Sequence, residues 1–80
     1  NFPNPFNPAT VIRFALPEAS VVKINIYDAS GRLVRELVNQ HLNAGIYQEK
    51  WDATEYSSGI YFYNIQTEKF HSTGKMILIK

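Results

Sequence analysis

The ten residues from Ser58 to Thr67 constrain the fold more than any other stretch of this 80-residue chain. They contain three aromatic residues and two isoleucines, begin at a Ser-Gly pair and end in polar residues. This composition is typical of a β-strand rather than a helix. Side chains alternate between the two faces of a strand. The face that we assign to the core carries Tyr61, Tyr63 and Ile65, and the other face carries Ile60, Phe62, Asn64 and Gln66. We expect this strand to lie in the middle of a sheet.

The composition of the chain excludes several classes of protein. Eighty residues make one domain, and without cysteine it has neither disulfides nor a thiolate metal site. The net charge is +1, with acids and bases interspersed, which argues against a nucleic-acid-binding protein. No apolar run approaches the roughly 20 residues of a membrane span, and no signal peptide is recognisable. The abrupt start at Asn1 leads us to expect the end piece of a longer protein.

Alternating apolar residues predict further strands before this one. The predicted strands are Thr10–Leu16 with Ile12, Phe14 and Leu16 facing inward, Ser20–Tyr27 with Val22, Ile24 and Ile26 facing inward, Arg32–Val38 with a kink near Arg35-Glu36, and Ile46–Trp51 with Tyr47, Glu49 and Trp51 on one face. Glu49 is expected at a sheet rim or beside a lysine or arginine, because an unpaired buried carboxylate is costly.

Turn-forming residues separate these strands. We predict a turn at Asp28–Gly31, a polar loop at Asn39–Gly45, a crossing between sheets at Asp52–Ser58 and a tight turn at Thr67–Lys69. Phe70–Thr73 reads as a strand, Gly74 as a bulge or kink, and Lys75–Lys80 as the last strand. The last run, Met76–Ile79, is apolar without alternation, which predicts that both faces are covered. Its flanking residues Lys75 and Lys80 are expected to discourage unwanted edge pairing.

These elements predict an all-β fold, an immunoglobulin-like antiparallel β-sandwich of about seven strands. Gly59 two residues before Tyr61 resembles the corner of such sandwiches, where a strand-opening Tyr turns its hydroxyl back onto the preceding loop. We expect one domain over residues 1–80, with a proline-rich lead-in at 1–9 and the sandwich at 10–80. The stiff lead-in would cover an edge of the core.

Motifs spread over the whole chain resemble those of one family, the C-terminal sorting domain of the type IX secretion system of the Bacteroidetes. In chain order they are Asn1-Phe2-Pro3-Asn4-Pro5-Phe6-Asn7-Pro8 followed by Thr10–Phe14, Tyr27-Asp28 with Gly31-Arg32, Ala44-Gly45 leading to Trp51-Asp52, Ser58–Phe62, and Lys75-Met76. The immunoglobulin-like domain of the flagellar hook-capping protein is similar enough in pattern to remain a rival.

The resemblance implies a secretion signal that directs an N-terminally fused cargo from the periplasm, through the outer-membrane translocon and its shuttle, to the cell surface or medium. A sortase-like peptidase would often remove it at a point before Asn1. The residues assigned to translocon recognition are Gly74, Lys75, Met76, Ile77, Leu78, Ile79 and Lys80. The motif residues with structural roles are Asn4, Pro5, Phe6, Asn7, Pro8, Gly31, Trp51, Gly59 and Tyr61.

Other functions remain as alternatives. A carbohydrate-binding or accessory module would need exposed, coplanar aromatic rings, for which the candidates are Trp51, Tyr56, Phe62 and Tyr27. An enzyme is not expected, since His41 and His71 lie in different segments and no nucleophile or phosphate-binding motif occurs. We therefore expect no catalytic residue, no metal and no cofactor. The turn positions of Asp28 and Asp52 favour backbone capping over calcium binding.

Overall fold

A computed structural model describes residues 9–79, and this part of the chain folds into six β-strands. The strands are β1 Ala9–Leu16, β2 Ser20–Asp28, β3 Leu33–Leu42, β4 Gly45–Asp52, β5 Gly59–Gln66 and β6 His71–Leu78. Among these residues no helix is long and apolar enough to cross a membrane.

The strands form two antiparallel sheets that pack face to face. β1 pairs with β4 in a two-stranded sheet, and the other sheet has the order β3-β2-β5-β6. Variable-type immunoglobulin domains place strands C′, C, F and G in the same order, opposite a sheet that contains B and E. In that comparison β5 is strand F, so the predicted sandwich and the central place of β5 are confirmed.

The core lies between the sheets and is built by the residues expected to face inward. Eleven hydrophobic residues are buried: Ile12, Phe14, Leu16, Val22, Ile24, Ile26, Val38, Trp51, Ala53, Tyr61 and Ile65. Tyr63 is half-buried against this cluster. Glu49 is half-buried on the inward face of β4, opposite Ile12 of β1.

β3 has an irregular spacing of apolar residues, at Leu33, Val34, Leu37 and Val38. Its pairing with β2 skips Leu37 and Val34, so each is an extra residue that resets the alternation of the strand. Both side chains therefore pack against the core, as does the in-register Val38. These two bulges flank the predicted kink at Arg35-Glu36.

The predicted polar loop at Asn39–Gly45 is wrong. Residues 39–42 continue β3 and pair with β2 as far as Ser20, and the chain reverses at Asn43-Ala44 before β4 begins at Gly45. Polar side chains are compatible with this position because β3 is an edge strand and residues 39–41 are exposed.

The turn at Asp28–Gly31 forms as predicted. Oδ1 of Asp28 accepts hydrogen bonds from the backbone N–H groups of Ser30 and Arg32, each at 3.0 Å, and from the Ser30 hydroxyl at 2.6 Å. Gly31 takes a φ of 88°, a conformation that a side chain disfavours. This turn delivers the chain from β2 directly into β3.

The end of the chain departs from prediction in two respects. Phe70–Thr73 and Lys75–Lys80 are not separate strands, since His71–Leu78 is a single β6, so the described residues contain six strands instead of about seven. Gly74 is not a bulge, because β5 and β6 pair without a register shift from Gly59↔Leu78 to Gln66↔His71. The crossing connection after Asp52 and the tight turn at Thr67–Lys69 are confirmed.

Candidate functional site

The strand β6 carries most of the residues predicted to be recognised, and it lies at an edge of the four-stranded sheet. Of the described strands it pairs with β5 alone. The β5–β6 turn is closed by a hydrogen bond from the Thr67 N–H to the Phe70 carbonyl at 2.8 Å. It is attached to the start of β2, since the Glu68 N–H donates to the buried Ser20 hydroxyl at 3.0 Å. The first half of β6 is therefore held in place.

The hydrogen bond that closes the β5–β6 turn also shows which backbone groups of β6 point to the open edge of the sheet. Bonded and non-bonded pairs alternate along an antiparallel ladder. Counting from the bonded Thr67–Phe70 pair, the N–H and C=O groups of Ser72, Gly74 and Met76 point to β5. Those of Thr73, Lys75 and Ile77 point away from β5, to the edge. A strand from another protein could pair with these groups.

The side chains of the last apolar run alternate, so the prediction that both faces are covered is wrong. Met76 and Leu78 are half-buried against the core. Ile77 and Ile79 are exposed, at 65% and 78%. Their face is the outer face of the four-stranded sheet, directed away from β1 and β4, and Lys75 is exposed on it as well.

Gly74 is the position in β6 where the strand passes under an aromatic ring. It lies directly opposite Tyr63 of β5. A Cβ atom added at Gly74 would overlap Cε2, Cζ and the hydroxyl of Tyr63. Glycine thus allows the Tyr63 ring to lie on the backbone of β6, which a sequence-based bulge prediction could not show.

Three of the motif residues assigned structural roles meet at the opposite end of β5. Gly59 begins the strand, and the buried Tyr61 donates a hydrogen bond from its hydroxyl to the Ser57 carbonyl at 2.7 Å. The ring of Tyr61 packs edge-on against Trp51, with centroids 5.2 Å apart. The predicted tyrosine corner is present. Gly31 lies near it, because the Asp28–Ser30 part of its turn lines one shallow cleft with residues 57–61.

Other predicted motif residues lie outside the described part of the chain. They are Asn4, Pro5, Phe6, Asn7, Pro8 and Lys80.

Residues considered for catalysis or metal binding are not brought together. His41 and His71 lie on β3 and β6, the two opposite edges of one sheet. Within residues 9–79 no group of three or more His, Cys, Asp or Glu is placed to hold a metal ion. The Ser30 hydroxyl and then the Arg32 N–H lower the pKa of Asp28 below its ordinary value. The Thr54 hydroxyl and N–H lower the pKa of Asp52 in the same way. Both carboxylates therefore cap turns.

The aromatic candidates for carbohydrate binding are dispersed. Trp51 is only 2% exposed and Tyr56 packs against its ring with centroids 5.2 Å apart. Tyr27 and Phe62 are half-buried partners on the outer face of the other sheet. Trp51 therefore belongs to the core, not to an exposed aromatic platform.

A comparison with protein families decides the identity of the chain. A family model described as the secretion system C-terminal sorting domain matches residues 1–80. The chain belongs to this family. No curated protein and no solved structure matched it in the same comparisons.

Membership of the sorting-domain family establishes the function in outline. The sorting domain is a C-terminal signal for type IX secretion, which sends proteins toward the cell surface or the extracellular space. It implies a cargo fused on its N-terminal side and a type IX machinery that recognises it. Nothing in the comparisons favours a carbohydrate-binding or flagellar role.

Proposed function

We propose that the sorting domain acts without catalysis and presents its cargo to the outer-membrane translocon of the type IX system through β6 and the residues after it. The recognised residues are Gly74, Lys75, Met76, Ile77, Leu78, Ile79 and Lys80. In this proposal the cargo passes through the periplasm, is taken over by the translocon and its shuttle, and reaches a sortase-like peptidase at the surface.

One observation supports this proposal above the others, the position of β6 at an edge of the sheet. Its backbone groups at Thr73, Lys75 and Ile77 point away from β5 and offer a ready partner for an added strand. Main-chain hydrogen bonds of this kind supply affinity in strand addition, while side chains determine specificity. The exposed Lys75 would fix the register of the added strand through its charge.

The other motif residues support the presentation of β6. Tyr61, Trp51 and Gly59 hold the start of β5, the strand against which β6 is built. Gly31 permits the neighbouring turn. We assign these residues to the stability of the domain and β6 to recognition.

The proposal is tested at Ile77, where the contributions of the backbone N–H group and of the side chain can be measured separately. Ile77→Pro removes an N–H group that faces the edge, without removing a bond to β5, so the sheet should tolerate it. Ile77→Val keeps the N–H group and a β-branched apolar side chain. A secreted reporter fused to the full chain is expressed in a host with an active type IX system, and its export is measured for both variants.

We expect Ile77→Pro to reduce export at least tenfold and Ile77→Val to retain most of it. Circular dichroism and thermal melting of the purified domains show whether each variant is folded. A folded Ile77→Pro variant that is exported normally would exclude strand addition at this edge. Deletion of Ile79 and Lys80 should also reduce export, and normal export of that variant would contradict the role given to the end of the chain.

A further inference from the structure

The outer face of the four-stranded sheet carries an organised apolar surface. We propose that this surface, together with Lys75, binds an extended segment of the type IX machinery that has an apolar side chain followed two residues later by a carboxylate. The inference rests on the proposed function and adds the chemistry of the partner to it.

A single row of paired residues crosses all four strands on the outer face. Leu33 of β3 is opposite Tyr27 of β2, Tyr27 is opposite Phe62 of β5, and Phe62 is opposite Lys75 of β6. The next row toward the start of β5 contains Ile60 opposite Ile77. We call Leu33, Tyr27, Phe62, Ile60 and Ile77 the apolar band.

The apolar band is exposed and confined to one half of the face. Leu33, Ile60 and Ile77 are 51%, 41% and 65% exposed, and Tyr27 and Phe62 are half-buried. The two rows on the other side of the Phe62 row are polar across β2, β5 and β6. They are Asn25–Asn64–Thr73 and Lys23–Gln66–His71. A surface of adjacent apolar side chains with a polar border is typical of an interaction site.

The charge of this surface indicates the charge of its partner. The two strands nearest the edge, β5 and β6, contain Lys75 and no Asp or Glu. Asp28, at the end of β2, is already paired with Arg32 at 3.3 Å. Among the described residues no ion pair neutralises Lys75. A partner carboxylate would therefore complement the lysine at the end of the row.

The two-residue spacing between the partner's side chains follows from strand addition at β6. Lys75 and Ile77 are two residues apart and share the outer face. A residue directly opposite another on a neighbouring strand has its Cβ about 4.5–5.5 Å away. A segment paired antiparallel to β6 thus places one side chain beside Ile77 and another, two residues later in the segment, beside Lys75. An apolar residue in the first position and an acidic one in the second would fit.

The role of the apolar band is tested in the reporter assay with three variants and matched controls. The variants are Ile60→Ser, Phe62→Ser and Lys75→Glu. The controls are Ile46→Ser, which alters a side chain 86% exposed on β4 of the other sheet, and Lys23→Glu, which reverses a charge in the polar half of the same face. Thermal melting of each purified domain separates loss of recognition from loss of folding. Since Phe62 is half-buried, Ile60→Ser and Lys75→Glu keep the test valid if Phe62→Ser unfolds.

We expect each folded band variant to lower export at least threefold and both controls to retain it. Charge preference is measured with two synthetic strand-forming peptides that differ only in Glu or Lys two residues after an isoleucine. The wild-type domain should bind the Glu peptide at least about threefold more tightly, and Lys75→Glu should reverse the preference. Equal binding of both peptides would overturn the inferred partner chemistry.

The outcomes distinguish this inference from the proposed function. If Ile77→Pro blocks export and the band variants are exported normally, the edge is used and the apolar band is not, which overturns the inference alone. If the band variants fail and Ile77→Pro is exported, the face is recognised without strand addition, which overturns the proposed function and the two-residue spacing. Normal export of all folded variants overturns both.

Discussion

The ring of Tyr63 lies on the backbone of Gly74, its directly paired neighbour across β5 and β6. Tyr63 faces the core side of the sheet and is half-buried there. The residue opposite it must therefore lack a side chain for the ring to occupy this position over β6. This contact joins the candidate recognition strand to the central strand of the domain.

Gly74→Ala should destabilise the domain by about 1–3 kcal/mol, because the new methyl group would displace the Tyr63 ring. Urea denaturation monitored by circular dichroism measures the change. Tyr63→Ala provides the control background. There Gly74→Ala should be neutral or stabilising, since alanine restricts the unfolded chain more than glycine does. Equal destabilisation in both backgrounds would show that the ring is not responsible.

Tyr61→Phe should lower the free energy of unfolding by about 1 kcal/mol, because it removes the hydrogen bond from a buried side chain to the Ser57 carbonyl. Tyr47→Phe is a matched control, since the Tyr47 hydroxyl also donates to a carbonyl four residues earlier, at Asn43, but in an exposed position. We expect a change below about 0.5 kcal/mol for the control. Equal effects in the denaturation of the two variants would contradict a special role for the buried corner.

Local patterns predicted much of this fold because the alternation of apolar and polar residues along a strand indicates which side chains are buried. The inward faces of β1, β2, β4 and β5 were correct for this reason, as was the corner at Tyr61. The turn at Asp28–Gly31 was also predicted correctly, because aspartate caps the backbone of a turn and glycine accepts a positive φ.

The features that the sequence did not predict depend on contacts between residues that are distant in the chain. Residues 39–41 are polar, and only their pairing with β2 makes them part of a strand. Gly74 is paired in register with Tyr63 of β5, whose ring lies over it. The apolar band needs the register of four strands, although the outward direction of Tyr27 and Phe62 was predicted. Alternation alone cannot give that register.

Asp28 and Asp52 should make the stability of the domain decline in acid. Hydrogen bonds lower the pKa of each carboxyl in the folded state, the Ser30 hydroxyl first for Asp28 and the Thr54 hydroxyl first for Asp52. A lowered pKa gives stability that is fully present above the unfolded value of about 3.9 and is lost as the pH falls through the folded value. Thermal melting between neutral pH and pH 2 should show this loss.

The double variant Asp28→Asn with Asp52→Asn is the test of that assignment. Its melting temperature should depend less on pH below about 4 than that of the wild type, because neither group titrates. Glu55→Gln, which alters a carboxyl in an exposed position, serves as the control and should leave the acid dependence largely unchanged. An acid dependence that is identical in the double variant and the wild type would assign the effect to other carboxyls.

β6 should be the least protected strand of its sheet in hydrogen exchange. The eleven buried core side chains of the described chain lie on the other strands and at Ala53, whereas β6 contributes the half-buried Met76 and Leu78. Local opening of β6 would therefore expose less buried apolar surface than opening of β2. The amides of Gly74 and Met76 should exchange at least about tenfold faster than those of β2, a difference of about 1.4 kcal/mol.

A disulfide between β5 and β6 tests whether opening of β6 causes that exchange. Asn64 and Thr73 are paired on the outer face, and their side chains are 3.1 Å apart at the hydrogen bond that joins them. A non-bonded antiparallel pair has a Cα separation of about 4.5 Å, which a disulfide can span. Since the chain has no cysteine, Asn64→Cys with Thr73→Cys creates one defined crosslink. Oxidation should slow the exchange of β6 toward that of β5, and reduction should restore it. Exchange of β6 that is already as slow as that of β2 would show instead that the sheet opens as one unit.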